Sequence, residues 1–256
     1  MEDKVRFIGL ETHSAQENMA IDEAILLSLS EGRVPPTLRL YRWRPSAVSI
    51  GTFQSMNAEV DRAYCQSHGI DMVRRITGGG AVYHDYSGEL TYSIILPRGH
   101  RLVNDDIQKS YEILCQGIVQ GLSRLGVSAE FKPVNDIVVN GRKISGNAQT
   151  RRHNCLLQHG TILISVDVVT MFSVLKVRPE KITDKVIADV KQRVTSLNEV
   201  LGRDVGFEET ADALRDGFAS ALSLRLVPGT LSDAEKELAA RLVREKYSTD
   251  AWNLVR

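Results

Sequence analysis

The sequence predicts an α+β fold in which mixed β-sheets carry packed helices. Segments rich in β-favouring residues are concentrated in the first two thirds of the 256-residue chain. From about residue 167 onward the hydrophobic periodicity is mainly helical. Strands and helices that are segregated in this way are typical of helices packed against a sheet. Because no internal repeat or long linker is evident, a single domain over residues 1–256 is predicted.

The first part of the chain alternates strand and helix signals. Residues 5–10 indicate a strand, and Ser14 with Glu17 forms a possible capping box at the start of a helix. Two strands, at 38–43 and 48–50, are separated at Pro45. Asn57 is expected to cap a helix that ends at Gly69. Strands flank the glycine-rich stretch that follows, and the second of them covers residues 89–96.

The second part begins with the longest helical pattern, over residues 107–125. Strands around Ile137 and Ile144 are joined at Asn140-Gly141, the strongest short hairpin-turn signal. Another strand is predicted over 156–164. Helices are clearest at 211–222 and 232–247, and the Pro-Gly pair at 228–229 indicates a turn.

Composition excludes several classes of function. The 32 basic and 32 acidic residues cancel, so no net charge attracts nucleic acid or a membrane surface. There is no apolar run near the roughly 20 residues that span a bilayer, and the N-terminus lacks a signal-peptide pattern. The three cysteines, Cys65, Cys115 and Cys155, are far apart and odd in number. A disulfide framework or CxxC metal site is therefore not indicated, and a cytoplasmic location is expected.

The most informative stretch is residues 74–85, RRITGGGAVYHD. Gly78, Gly79 and Gly80 leave bare backbone that a ligand can approach closely. Arg74 and Arg75 precede them and can bring fixed positive charge to carboxylate or phosphate oxygens. The pattern favours an anionic substrate, although a tight turn with two surface arginines would have the same composition.

A second stretch, residues 135–149, contains Asn135-Asp136, the hairpin turn and then Lys143 among small polar residues. Such a lysine is usually solvated, and alone it would carry little weight. Together with the glycine loop and His159-Gly160-Thr161, however, the stretch resembles the lipoate–protein ligase family. That family shares a superfamily with biotin–protein ligases and octanoyltransferases. Further matches lie at 18–20, 22–24, 246–247 and 252–253, so the resemblance spans nearly the whole chain.

The resemblance implies a class II synthetase-like catalytic domain that acts as an ATP-dependent lipoate–protein ligase. Such an enzyme activates lipoate or octanoate to an acyl-adenylate and transfers the acyl group to a lysine. Lys143 would be the catalytic cation, and Asp136 would help to hold Mg²⁺. No tightly bound prosthetic group is implied. The implied binding residues for substrate and ATP are Arg74, Arg75, Thr77, Gly78, Gly79, Gly80, Val82, His84, Asn135, Asp136, Lys143, Gly146, Ala148, His159, Gly160 and Thr161.

The implied acceptors are lipoyl domains, such as those of the 2-oxoacid dehydrogenase E2 component or the glycine cleavage H protein. Longer ligases carry a small C-terminal accessory domain, which this sequence lacks. A separate small accessory protein is therefore expected as a partner, in addition to the acceptor.

An octanoyltransferase is the main alternative to a ligase. The segments 146–151 and 157–160 look like those of Gram-positive-type octanoyltransferases, which transfer octanoate through a cysteine thioester. That family has its cysteine in an insertion before the lysine strand, whereas here residues 131–134 run directly into Asn135-Asp136. Cys155 is expected to be a buried structural residue. The ligase is therefore preferred to the transferase. A non-catalytic lipoate-binding protein and a biotin ligase also stay open.

Overall fold

The computed structural model describes residues 3–176 and 192–255, which form a large and a small β-sheet with helices packed on them. The strands are β1 (Asp3–His13), β2 (Thr37–Trp43), β3 (Ala47–Ile50), β4 (Asp71–Arg74), β5 (Val82–His84), β6 (Glu89–Pro97), β7 (Glu130–Lys132), β8 (Asp136–Val139), β9 (Arg142–Arg152), β10 (Cys155–Leu163) and β11 (Leu224–Pro228).

The large sheet has eight strands in the order β11-β1-β2-β6-β10-β9-β8-β7, and the small sheet has the order β4-β3-β5. In the large sheet, β1 is parallel to both β11 and β2, and the remaining pairs are antiparallel. In the small sheet, β3 is parallel to β4 and antiparallel to β5. The predicted α+β class with mixed sheets is confirmed.

The helices cover both faces of the large sheet and the outer side of the small one. They are α1 (Ala15–Ser30), α2 (Met56–Glu59), α3 (Arg62–Ser67), α4 (Ile107–Arg124), α5 (Val168–Val174), α6 (Leu197–Leu201), α7 (Phe207–Ala221), α8 (Asp233–Leu242) and α9 (Asp250–Asn253). A π-helical segment, Val243–Tyr247, continues α8. No described helix is long and apolar enough to cross a membrane.

Local sequence signals account for two of these features. Both arms of the predicted capping box are present at the start of α1, between Ser14 and Glu17. Asn140 and Gly141 both have positive φ, 51° and 77°, as a tight hairpin turn between β8 and β9 requires.

Two predictions about elements need correction, and part of a third lies outside the described residues. The single helix expected from Asn57 to Gly69 is two short helices, because Val60 is extended and Asp61 caps a new helix with its side chain. The mainly helical C-terminal third also contains the strand β11, which pairs with β1 from the opposite end of the chain. The helical signal over 177–191 lies outside the described residues.

Three hydrophobic clusters hold these layers together. One lies between the large sheet and the helices α4 and α7, and the second lies between that sheet and α1 with α8. The third supports the small sheet through α2 and α3. The two sheets are thus fixed relative to α1 and to each other, and polar side chains collect where they meet.

Candidate active site

A cavity of about 320 Å³ lies between the small sheet and the strands β6, β9 and β10 of the large sheet. This volume is within the range of small-molecule sites. One part of its wall is apolar and includes Trp43, Val82, Leu163 and Met171. The wall also carries cationic and polar side chains, so the cavity suits a ligand that has both an apolar chain and a polar head.

Lys143 reaches the cavity from β9. Its Nζ lies 2.6 Å from Asp136 Oδ1, and the two side chains are 41% and 34% exposed. The lysine side chain lies across Gly146, where an added Cβ would come within 2.7 Å of its Cε and Nζ. Glycine at 146 therefore leaves the space that Lys143 occupies, and the ion pair with Asp136 fixes the ammonium at the cavity wall.

The magnesium role that the sequence predicts for Asp136 stays a prediction, and the structure shows this carboxylate in an ion pair. A magnesium site needs oxygen ligands around the cation, and in ATP-dependent enzymes one or two carboxylates supply part of them. Within residues 3–176 and 192–255, no cluster of three or more potential metal-ligating side chains is present. Asp136 is the counter-ion of Lys143 in this structure.

Arg75 organises the glycine loop from inside the protein. Its guanidinium donates to the carbonyl oxygens of Gly78 and Gly80 at 2.8 and 2.7 Å, and its Nε donates to Thr77 Oγ1. The side chain is buried, and burial lowers the pKa of Arg75 to about 10. Arg75 lines the cavity, but its donors hold the loop and the adjacent strand in place.

Arg74 does not reach the cavity, contrary to its predicted role in substrate binding. Its buried guanidinium donates to the carbonyl oxygens of Thr52 and Gln54 on one side and of Trp252 and Asn253 on the other. The side chain thus ties α9 to the loop after β3. Its role in the described structure is to support the site from behind.

His159 lies in a buried chain of polar groups beneath the glycine loop. Its Nε2 is 2.8 Å from Thr77 Oγ1, and its Nδ1 is 3.3 Å from Asp22 Oδ2. Asp22 also forms a 3.1 Å ion pair with Arg39. Burial lowers the pKa of His159, so the neutral imidazole accepts from Thr77 and donates to Asp22.

A second chain with the same order of hydroxyl, imidazole and carboxylate lies on the cavity side. Ser49 Oγ is 2.8 Å from His84 Nε2, and His84 Nδ1 is 2.7 Å from Glu89 Oε1. Trp43 stacks on the His84 ring at a centroid distance of 3.9 Å. All four of these side chains line the cavity.

Most of the predicted binding residues line the cavity. Those that do are Arg75, Gly79, Gly80, Val82, His84, Asn135, Lys143, Gly146, Ala148, His159, Gly160 and Thr161. Four others, Arg74, Thr77, Gly78 and Asp136, are not among the lining residues but contact residues that are, or support the loop that carries them. Their roles in binding stay predictions, apart from the correction given for Arg74.

The sequence prediction missed Ser49, Glu89 and Thr91, which also line the cavity. Ser49 is the single polar residue of β3, and Glu89 and Thr91 lie with Ser93 in the buried strand β6. A buried polar residue in such a strand requires a hydrogen-bond partner, and that was the available signal.

Gly51 allows the glycine loop to approach β3. A Cβ at this position would lie 2.1 Å from the carbonyl oxygen of Gly79. We expect Gly51→Ala to displace the loop and to lower the free energy of unfolding by about 1–3 kcal/mol, as overpacking does. Urea denaturation measures this, with Gly99→Ala as the control, since a Cβ at Gly99 meets no atom within 4 Å. Equal stability of the two variants would show that the glycine loop moves to accommodate the Cβ at no cost in stability.

The three cysteines lie away from the cavity. Cys65, Cys115 and Cys155 are all buried, and none of them lines the cavity. Burial raises the pKa of Cys65 to about 11 and that of Cys115 to about 12, and it also raises the pKa of Cys155. A thiol in this state is a weak nucleophile. The expectation that Cys155 is buried is confirmed.

Relatives and solved structures resemble the chain over nearly its full length. The octanoyltransferase LipM of Brevibacillus brevis is 40% identical, over 98% of this chain and 99% of the relative. LipM of Bacillus subtilis is 33% identical, over 98% of both chains. A bi-partite lipoate protein ligase from Thermoplasma acidophilum superposes with a TM-score of 0.87 at 32% identity, covering 99% of this chain and 97% of that one.

The curated relatives correct the function predicted from the sequence. The sequence favoured an ATP-dependent ligase that forms an acyl-adenylate, and this is wrong: the relatives at 33% to 40% identity are octanoyltransferases. An octanoyltransferase, the main alternative, agrees better with them. The lack of a cysteine just before the lysine strand excludes a nucleophile at that place, but it does not exclude the transfer reaction.

The family itself agrees with the resemblance seen in the sequence. The family model for the lipoyl protein ligase A/B catalytic domain matches residues 14–219, which include the glycine loop, Lys143 and His159. The relatives and the superposed structure extend the similarity to both ends of the chain. The chain therefore belongs to the lipoyl protein ligase A/B catalytic-domain family.

Proposed function

We propose that this chain is an octanoyltransferase, which transfers a medium-chain acyl group from a carrier thioester to a lysine of a lipoyl domain. The main support is Lys143, an ion-paired cation at the wall of a partly apolar cavity, in a chain 40% identical to an octanoyltransferase. A thioester is already activated, so the transfer needs neither ATP nor Mg²⁺.

The cavity offers apolar side chains to the acyl chain of an octanoyl thioester and polar groups to its carbonyl. The apolar side chains, among them Trp43, Val82 and Leu163, bury the acyl chain. Burying each CH₂ contributes about 0.8 kcal/mol, so the chain supplies most of the binding free energy. The carbonyl group then lies towards the polar end, with the ammonium of Lys143 and the bare backbone at Gly79 and Gly80.

Lys143 stabilises the charge that develops during transfer. Attack on a thioester carbonyl places negative charge on its oxygen in the tetrahedral intermediate. A cation that is already positioned by Asp136, 2.6 Å away, needs little reorganisation to meet that charge.

The acceptor is a lipoyl domain that presents its lysine to the cavity. The superposed Thermoplasma acidophilum protein was studied together with its E2 lipoyl domain, and it has the same fold over 97% of its length. The side chains of Lys143 and Asp136 are 41% and 34% exposed, so the cavity is open enough at Lys143 for an incoming amine.

The test uses the purified protein, an octanoyl–acyl carrier protein thioester and an unmodified lipoyl domain, without ATP. Intact-mass measurement is expected to show one octanoyl group on the acceptor, and none when its target lysine is changed to arginine. Acylation from free octanoate and ATP only, with no transfer from the thioester, would contradict the proposal.

The cysteines provide a separate prediction. We expect the triple variant Cys65→Ala, Cys115→Ala, Cys155→Ala to keep at least about a tenth of the transfer rate, because the thiols are buried outside the cavity. The variant should lose several kcal/mol of stability from the three core truncations, so the rate must be measured well below its unfolding temperature. An octanoyl thioester trapped on any one cysteine of the wild-type protein would show that this prediction is wrong.

A further inference from the structure

We propose that Ser49 is the nucleophile of this transferase and carries the acyl group as an ester, with His84 as its base and Glu89 as the group that orients the base. This inference rests on the proposed function and extends it. The observation behind it is the line Ser49–His84–Glu89, with contacts of 2.8 and 2.7 Å, at the wall of the acyl cavity. A hydroxyl, an imidazole and a carboxylate in this geometry are the parts of an activated nucleophile.

The fold brings the three side chains together from both sheets. Ser49 lies in β3 between Val48 and Ile50, whose side chains pack into the cluster behind the small sheet. Because side chains alternate along a strand, Ser49 faces the opposite way, towards the cavity. His84 ends β5 in the same small sheet, and Glu89 begins β6 of the large sheet. All three are at least 96% buried.

The surrounding hydrogen bonds fix the direction of each proton. Trp43 Nε1 can only donate, and it donates to Thr91 Oγ1 at 2.8 Å. The Thr91 hydroxyl therefore donates to Glu89 Oε1, also at 2.8 Å. The same carboxylate oxygen accepts from His84 Nδ1, which leaves Nε2 as the imidazole acceptor. The Ser49 hydroxyl is thus oriented to give its proton to His84.

Arg75 completes the arrangement from the other side. Its Nη1 donates to Ser49 Oγ and to the Ser49 carbonyl oxygen, both at 3.1 Å. A fixed cation at the hydroxyl oxygen stabilises negative charge that develops there. It also holds the serine rotamer, so Ser49 has a base on one side and a cation on the other.

The parallel chain at Thr77 does not offer an equivalent nucleophile. Thr77, His159 and Asp22 repeat the hydroxyl–imidazole–carboxylate pattern, and Arg75 also donates to Thr77. Thr77, however, is fully buried and does not line the cavity, whereas Ser49 does. Because the Ser49 hydroxyl is the one of the two that belongs to the cavity wall, the geometry assigns the covalent step to Ser49.

The reaction then has two balanced steps. In the first, Ser49 Oγ attacks the thioester carbonyl while its proton passes to His84 Nε2. The C–S bond breaks, the carrier thiol leaves with that proton, and an octanoyl ester remains on Ser49. In the second, the acceptor amine attacks the ester, the C–O bond breaks, and an amide forms. The amine loses one proton through His84 to Ser49 Oγ, which restores the hydroxyl.

The experiment traps the ester. The wild-type protein is mixed with the octanoyl carrier thioester without acceptor, quenched in acid within a turnover, and digested for mass spectrometry. We expect the octanoyl group on the peptide that contains Ser49, resistant to neutral hydroxylamine and released by alkaline hydroxylamine. Ser49→Ala should show no adduct, and His84→Ala should form it about 10²–10⁴-fold more slowly, as for loss of a general base.

Two further variants separate chemistry from folding. Ser28→Ala also removes a buried serine hydroxyl, one without a hydrogen-bond partner among the described residues, and it should form the adduct at the wild-type rate. Ser49→Cys should form an adduct that neutral hydroxylamine cleaves, since the linkage becomes a thioester. Circular dichroism verifies that each variant is folded.

The outcomes distinguish this inference from the proposed function. Absence of an acylated Ser49 peptide from the quenched wild-type protein would overturn the inference, whatever the rate of Ser49→Ala. If transfer to the lipoyl domain nevertheless proceeds from the thioester, the proposed function stands and the acceptor amine attacks directly. If the folded protein gives no transfer from the thioester at all, the proposed function fails as well.

Discussion

Replacing Lys143 with alanine is expected to lower the rate of acyl transfer about 10²–10³-fold while the protein stays folded, by analogy with the loss of one preorganised oxyanion donor. The side chain is 41% exposed and belongs to no hydrophobic cluster, so its removal costs little stability. Single-turnover transfer from the octanoyl thioester to the lipoyl domain measures the rate. Lys109→Ala, an exposed lysine on α4 that does not line the cavity, is the control.

Two related variants identify what Lys143 contributes. Lys143→Arg keeps a positive charge at the cavity wall and should recover part of the rate. Asp136→Asn removes the partner 2.6 Å away but keeps the ammonium, and an ion pair of this exposure contributes about 1 kcal/mol or less. The transfer rate of Asp136→Asn should therefore fall about tenfold at most. If Lys143→Ala kept more than a tenth of the wild-type transfer rate, the assignment of Lys143 as the catalytic cation would be wrong.

The parts of the site that could be predicted are those that are contiguous in sequence. The glycine loop and the lysine hairpin each contain several informative residues within fifteen positions, and both reach the cavity. Ser49 lies in β3, whereas Glu89 and Thr91 lie in β6, far along the chain. These side chains come close together only when the small and large sheets pack, so local sequence patterns could not predict that they share one site.

Even for two adjacent residues, the sequence alone does not predict which one lines the site. Arg74 and Arg75 have identical side chains at neighbouring positions of extended backbone, so they point to opposite sides. Arg75 faces the cavity, whereas Arg74 faces α9 and the loop after β3. The motif predicts that an arginine is needed, but only the arrangement of the sheets decides which of the two lines the site. The strand β11 was missed for a similar reason, since its partner β1 begins the chain.

Replacing Asp22 with asparagine is expected to destabilise the fold strongly. Asp22 is 2% exposed, and all the groups around it are donors. Arg39 Nη1, Ser93 Oγ and Tyr41 Oη donate to its two oxygens at 3.1, 2.8 and 3.2 Å. An amide at position 22 would place its own donor against these donors. It would also leave the fully buried Arg39 without its principal counter-charge, since the other carboxylate, on Glu11, is 3.7 Å away.

Breaking a buried ion pair in this way costs about 3–5 kcal/mol, whereas exposed pairs contribute about 1 kcal/mol or less. Urea denaturation of Asp22→Asn should therefore show a loss of that size. Asp212→Asn, which removes one of the two carboxylate partners of Arg215 at the surface of α7, should change stability by no more than about 0.5 kcal/mol. Similar losses for the two variants would mean that the buried cluster relaxes or admits water when the charge at Asp22 is removed.

The dependence on pH tests the same cluster independently. Burial alone would raise the pKa of Asp22, but the hydrogen bond from His159 and the charge of Arg39 outweigh it, and the pKa lies below its ordinary value of 3.8. A carboxyl whose pKa is lower in the folded state stabilises the fold at pH values above 3.8, and this contribution is lost as the pH falls through the lower value. His159 acts in the same direction at higher pH, because burial lowers its pKa below 6.5 and the unfolded chain then binds the proton more strongly. The stability of the wild-type protein should therefore decline below about pH 6.5, and its advantage over Asp22→Asn should shrink below about pH 4. A constant difference between the two proteins down to the acid transition would show that the charge of Asp22 is not what holds the cluster together.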